Sequence, residues 1–289
     1  MINLENELLK VTINSKGAEL TSIFDKRNNV EHIWYGKPDI WAGRAPNLFP
    51  VVGGCVNNEI HINGASYPMF RHGFARQSQF TKLEAKPDYA ELSLHYSADT
   101  FQDYPYKFEF QVLFELTGSE LTQTYKIINR DTQAVYFSVG AHPAFNVPFF
   151  AGENYEDYYL EFDKEEPLYT HSLSSNGYFN GETKEVATTG NKLHLTTHLF
   201  DDDALVFKNI QSRKVSLRST EHNNSVEVTF PHFNYLGIWA KPGAPFCCIE
   251  PWLGCADTEG KIVDISQKEN IQKVEKGHVF EADFSIKIN

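Results

Sequence analysis

Apolar and polar residues alternate along most of the chain. Between Lys107 and Arg130, Phe108, Phe110, Val112, Phe114 and Leu116 fall on one parity, and Glu109, Gln111 and Glu115 on the other. This is the period-two signature of a strand with one buried face. Gly118-Ser119 turns the chain and Leu121, Tyr125 and Ile127 resume the alternation, which predicts a long antiparallel hairpin. Asn63-Gly64 stands between Glu59-Ile-His-Ile62 and Ala65-Ser-Tyr-Pro68, the residue pair a type I′ turn demands because both central positions need positive φ. Lys214 to Arg218 with Ser225 to Phe230 forms another hairpin candidate, and Ala90 to Tyr96 and Phe280 to Ile288 alternate too. No window of about three helical turns carries a clean 3.6-residue period; the best helical candidate, Asn191 to Asp201, is short.

The expected architecture is therefore all-β, a large antiparallel β-sandwich with more strand than helix among its regular residues. No Pro/Gly/Ser-rich linker divides it, so residues 1–289 read as one domain, and no repeat of about 20 to 50 residues suggests a propeller. Irregular segments rich in Gly and Pro remain at Trp41 to Gly54, Ser138 to Gly152 and Lys241 to Asp257. Function is expected to sit there.

Charge narrows the possible partners. The chain holds 26 Lys+Arg against 38 Asp+Glu, a net charge of −12, which argues against nucleic acid or an anionic membrane surface. Met1 to Lys10 is acidic and amphipathic, without the basic and apolar regions of a secretory signal, and no later stretch reads as a membrane span. The expectation is a soluble, cytoplasmic protein. Its oligomeric state is not legible.

Cys55, Cys247, Cys248 and Cys255 are too few and too clustered for a disulfide framework. Cys247 and Cys248 read as small core residues of a buried strand. Neither CxxC nor HExxH occurs, so no metal is called for. GxSxG and GxGxxG are missing too, and Gly254 to Ile262 fails as a phosphate loop because Ile262 stands where Ser or Thr must hold magnesium.

Three titratable side chains stand in aromatic, turn-rich surroundings. Glu250 follows a run of small apolar residues and precedes Pro251, which is expected to end its strand and leave the carboxyl at a sheet rim among apolar neighbours. A carboxyl so placed has a raised pKa and serves as a general base. His142 and His72 each lie beside Gly or Pro, where a turn aims a side chain into a cleft. Together the three supply a base, an acid and a further polar contact, the minimum for taking a proton from one oxygen and giving one to another. Arg44 beside Trp41 adds a five-donor fork. Rings that stack on apolar sugar faces, with histidines and carboxylates for hydroxyls, form a sugar-binding vocabulary.

The chain resembles the aldose 1-epimerase (galactose mutarotase) superfamily, and within it the branch of LacX-like proteins and hexose-6-phosphate mutarotases. The resemblance is carried by Arg44 with Phe49-Pro50 and Gly53-Gly54, His72-Gly-Phe-Ala-Arg76, His142, Asp203-Ala-Leu-Val-Phe207, and Cys248-Ile-Glu250-Pro-Trp252. It implies a large β-sandwich with a sugar cleft and cofactor-free interconversion of α and β anomers. Carried over residue by residue, it makes Glu250 the base at the anomeric hydroxyl and His142 the acid at the ring oxygen. His72, Arg44 and an aspartate would hold hydroxyls, the aspartate being one of Asp201, Asp202 and Asp203, with Asp203 preferred.

Three positions depart from the family pattern. Ala45-Pro46-Asn47 follows Arg44 where the phosphate-sugar branch has Arg-Gly-Gly, Pro143 follows the second histidine, and the aspartate is tripled. Arg71 and Arg76 flank His72 and could join Arg44 on a 6-phosphate. If instead Arg76 pairs with a structural carboxylate and Arg71 faces water, the substrate is a neutral aldose, the reading preferred at this stage. Alternatives are a hexose-6-phosphate mutarotase, a non-catalytic sugar-binding protein on the same scaffold, and a glycoside hydrolase using Glu250 and Asp257.

Overall fold

A computed structural model describes residues 1–289. Strand accounts for 48% of the chain and helix for 6%, in antiparallel sheets, as the alternation predicts. The long hairpin pairs Phe108–Thr117 with Glu120–Asn129, closing at Thr117 opposite Glu120. Asn63 and Gly64 take φ of 51° and 82° between Glu59–Ile62 and Ala65–Pro68, both positive as the turn requires.

Two large sheets carry the fold. One has nine strands in the order Lys192–His194, Tyr158–Phe162, Lys214–Ser219, Ser225–Thr229, Val279–Ile288, Glu120–Asn129, Phe108–Thr117, Tyr89–His95, Thr81–Ala85. The other has the order Phe179–Val186, Leu168–Leu173, Leu205–Lys208, Tyr235–Trp239, Phe246–Leu253, Val139–Ala141, Asn47–Leu48, with Ala144–Asn146 also on Phe246–Leu253. A cluster of 72 buried apolar residues draws on both. Phe162 of the first meets Phe207 of the second, ring centroids 6.2 Å apart. Tyr125 Oη donates toward Asn47 Oδ1 and Gly140 O, at 2.8 and 3.1 Å, tying the long hairpin to the second sheet through satisfied buried polar atoms.

Several local expectations are corrected. Asn191 to Asp201 is not helical: Lys192–His194 is an edge strand and turns follow. Its apolar residues are claimed by the sheet, where Leu193 is buried opposite Leu160. The α-helix is instead Ala98–Asp103, six residues started by a Ser97/Thr100 capping box. A helix this short holds together mainly by its cap, so Ser97→Ala is expected to cost about 1 kcal/mol in a urea titration. No helix is long and apolar enough to cross a membrane.

The strand through Glu250 does not stop at Pro251. Phe246–Leu253 is a central strand buried along its whole length. Its neighbour on one side is interrupted: Ala144–Asn146 pairs with residues 246–248, Val139–Ala141 with Trp252 and Leu253, and His142-Pro143 lies between. Ile249 N donates to Pro143 O toward that side, so the nitrogen two residues on, that of Pro251, points at the same break. A missing N–H is tolerated there.

Candidate active site

The interrupted strand places the chemistry. Cys248 faces Ala144 and Trp252 faces Gly140, and continuing this register across the break sets His142 opposite Glu250. Alternation along Phe246–Leu253 puts Cys248, Glu250 and Trp252 on one face. On the other flank, Gly237 stands opposite Glu250. A Cβ on Gly237 would come within 2.6 Å of the Trp252 ring, and one on Gly140 equally close. Both glycines let the indole lie flat across the sheet as the cavity floor.

The cavity above it encloses about 200 Å³ and is lined by Trp41, Arg71, His72, Arg76, His142, Phe179, Asp203, Trp239, Glu250 and Trp252, among others. His142 Nε2 lies 3.2 Å from Glu250 Oε2. The contact is not aligned as a hydrogen bond, and Glu250 Oε2, although buried, has no hydrogen-bond partner. Trp41 stacks on His142 at 5.0 Å, and Trp239 meets it edge-on at 5.8 Å. These rings cover the imidazole, leaving His142 8% exposed.

Burial decides the proton distribution. It raises the Glu250 carboxyl well above the carboxylate range, helped by the charge of Asp203, while the Trp252 indole acts in the opposite direction. Burial likewise lowers His142 to about 3, helped by the Arg76 cation. Both directions favour uncharged forms, a protonated carboxyl and a neutral imidazole.

His72 sits in a left-handed conformation, φ 67°, a region uncommon for residues other than glycine. Its backbone N–H donates to Gly53 O, and Gly53 N–H donates to its Nδ1 at 3.1 Å. Nδ1 is therefore the acceptor and Nε2 carries the hydrogen, with the ring edge-on to His142 at 5.6 Å. Gly73 follows at φ 71°, where a Cβ would strike Phe49 O at 2.3 Å. Phe49 is fixed in turn by stacking on Phe110 at 4.6 Å, so the core aromatics hold the segment that aims His72.

Asp203 also has positive φ, 85°, and its Oδ1 accepts from Ala204 N. Its neighbours point elsewhere: Asp202 pairs with Lys184 and Asp201 with His198 on the exposed surface. Among the three, Asp203 is the one at the cavity.

Two sequence candidates lie outside it. Arg44 Nη1 donates to Thr21 O, and its backbone N–H donates to Glu19 Oε1; the guanidinium braces a neighbouring strand and does not line the cavity. Asp257 accepts from Val56 N and pairs with the buried Lys268, so it is not a partner carboxylate for Glu250. Trp239, Leu173, Gly177 and Phe179 line the cavity but were not marked by the sequence. Leu173 and Phe179 come from the hairpin Leu168–Leu173 and Phe179–Val186, whose approach depends on tertiary packing alone.

Residues 1–265 match the family model described as aldose 1-epimerase. The plasmid and chromosomal LacX proteins of Lactococcus lactis subsp. lactis are each 34% identical over 285 residues, covering 94% of both chains. Among solved structures, a galactose mutarotase related enzyme from Lactobacillus acidophilus superposes with a TM-score of 0.94 at 32% identity, covering 99% of this chain and 96% of that one. A galactose mutarotase-like protein from Lactobacillus casei ATCC 334 gives 0.94 at 30% identity with 100% of both chains covered. An interrupted strand that faces a histidine with a buried glutamate thus occurs in a chain that belongs to the aldose 1-epimerase family.

Proposed function

We propose that the protein interconverts the α and β anomers of a hexose by acid–base ring opening. The observation that carries this is the 3.2 Å separation of His142 Nε2 and Glu250 Oε2 at the floor of an aromatic cavity. Two groups sharing one proton are what the reaction needs, because opening moves one proton off O1 and one onto O5 without net change. When a pyranose enters, its hydroxyls hydrogen-bond the carboxyl oxygens and replace the missing solvation of the carboxylate. The proton then passes from Glu250 to His142. Glu250 takes the O1 proton as C1=O forms, and the C1–O5 bond breaks as His142 protonates O5. After rotation about C1–C2, re-closure from the other face reverses both transfers. His72 Nε2–H and Asp203 hold hydroxyls. Polarimetry of freshly dissolved α-glucose and α-galactose tests the reading directly. A non-catalytic sugar-binding role predicts affinity without any acceleration.

A specific observation favours a phosphorylated hexose as the substrate. Arg71 is exposed, as a neutral-sugar site would allow, but Arg76 has no carboxylate within 4.0 Å and its buried Nε lacks a partner. Arg76 Nη2 donates to Arg71 O, and Arg71 Nη2 to Asn176 O. Two guanidiniums in one cavity, neither of them ion-paired and with Asp203 as the carboxylate on the same lining, suit a dianion. Glucose 6-phosphate is expected to exceed glucose at least tenfold in kcat/KM, about 1.4 kcal/mol, with Arg76→Ala erasing the preference. Equal rates on the two sugars would restore the neutral aldose.

A further inference from the structure

Cys248 has no part in that mechanism, yet it lies two residues before Glu250 on the same face of the same strand. One ligand atom each from His142, Cys248 and Glu250 falls within a mutual 4.8 Å, and all three residues are buried. An imidazole nitrogen, a thiolate and a carboxylate around one tetrahedral ion at about 2.0 to 2.3 Å lie roughly 3.3 to 3.8 Å from one another. The existing 3.2 Å separation of His142 and Glu250 is close to this. We infer that His142, Cys248 and Glu250 form a site for a borderline-soft divalent transition ion such as Zn²⁺, which inhibits by capturing the acid–base pair.

Two features support an ion at this place. Glu250 Oε2 is buried and without a partner, aimed into the site. Three protein ligands leave a fourth position, and two of the three, His142 and Glu250, line the cavity. Asp203 on the cavity wall favours a cation there; Arg71 and Arg76 on the same wall oppose it. The donor set selects for N, O and S ligation, not for hard magnesium or calcium.

The inhibitory part rests on the proposed mutarotation, whereas the site itself does not. Metal-free protein is therefore titrated with Co²⁺ and followed by its thiolate-to-cobalt charge-transfer absorption, in the wild type, Cys248→Ser and Cys248→Ala. The expected result is one equivalent bound with that band in the wild type, displaced by Zn²⁺, and no band in either variant. In polarimetry, Zn²⁺ inhibits the wild type and EDTA reverses it. The variants keep their metal-free rate and need at least tenfold more Zn²⁺. A wild type without the band, or a band that survives in the variants, overturns the site whatever the activity. A rate raised by Zn²⁺ overturns its inhibitory role. A protein that binds Co²⁺ through Cys248 but never accelerates mutarotation would count against the proposed function alone.

Discussion

Glu250→Gln is expected to leave the fold and sugar affinity in place and to lower mutarotation by about 10² to 10⁴-fold. The amide fills the same space between Gly237 and His142 and still hydrogen-bonds, but it cannot accept the O1 proton. His142→Asn removes the acid and is expected to be similarly damaging. Because the pair works by sharing one proton, the double variant should lose little more than either single one, as groups that act as a unit are not additive. Polarimetry at neutral pH, with circular dichroism to show the fold intact, checks all three. A single variant turning over at the wild-type rate removes that residue from the mechanism.

Outside the site, the largest expected effect on stability comes from His32. It is buried, edge-on to Phe149 at 5.0 Å, with neither ring nitrogen hydrogen-bonded. Burial lowers its pKa from 6.5 to about 4, against a smaller opposing pull from Asp25. As pH falls below 6.5, the unfolded chain takes up this proton before the folded one does. Stability is therefore present above the unfolded value and lost as pH drops toward 4, by about 3 kcal/mol at most. Glu250, raised in the fold, contributes with the opposite sign and His142, lowered to about 3, with the same sign, so comparison with a variant is needed to isolate His32. His32→Leu is expected to lose about 3 kcal/mol less between pH 7 and pH 4 in urea titrations. Parallel pH curves for the two proteins would show that His32 is not the acid-sensitive group.

Local patterns were legible in the chain; pairings between distant segments were not. The Phe108–Thr117 hairpin and the Asn63-Gly64 turn depend on parity and on turn chemistry carried by adjacent residues. Even there, Glu109 and Gln111, expected on a polar face, are buried, because Arg130 reaches over to pair with Glu109 at 2.6 Å. Pro251 read as a strand end, because only the break at His142-Pro143, more than a hundred positions earlier, gives its nitrogen a place without a ladder. That break is also what sets His142 against Glu250. The two residues were marked separately by their neighbours and by family resemblance, while their register is a property of the folded sheet. Arg44 shows the converse. A guanidinium beside Trp41 looks like a ligand contact until strand Glu19–Asp25 supplies Thr21 O to receive it. The positive φ of His72 and Asp203 was only weakly marked by residue type, since His and Asp enter the left-handed region more readily than most side chains but far less than glycine.

The measurement that bears most directly on the mechanism is the polarimetric relaxation of freshly dissolved α-anomers of glucose, galactose and glucose 6-phosphate, with and without protein. The expected result is a relaxation rate for at least one sugar that rises in proportion to wild-type protein and falls back to the buffer rate with Glu250→Gln. A rate equal to buffer for all three sugars, from protein that binds one of them, would contradict catalysis by the His142–Glu250 pair.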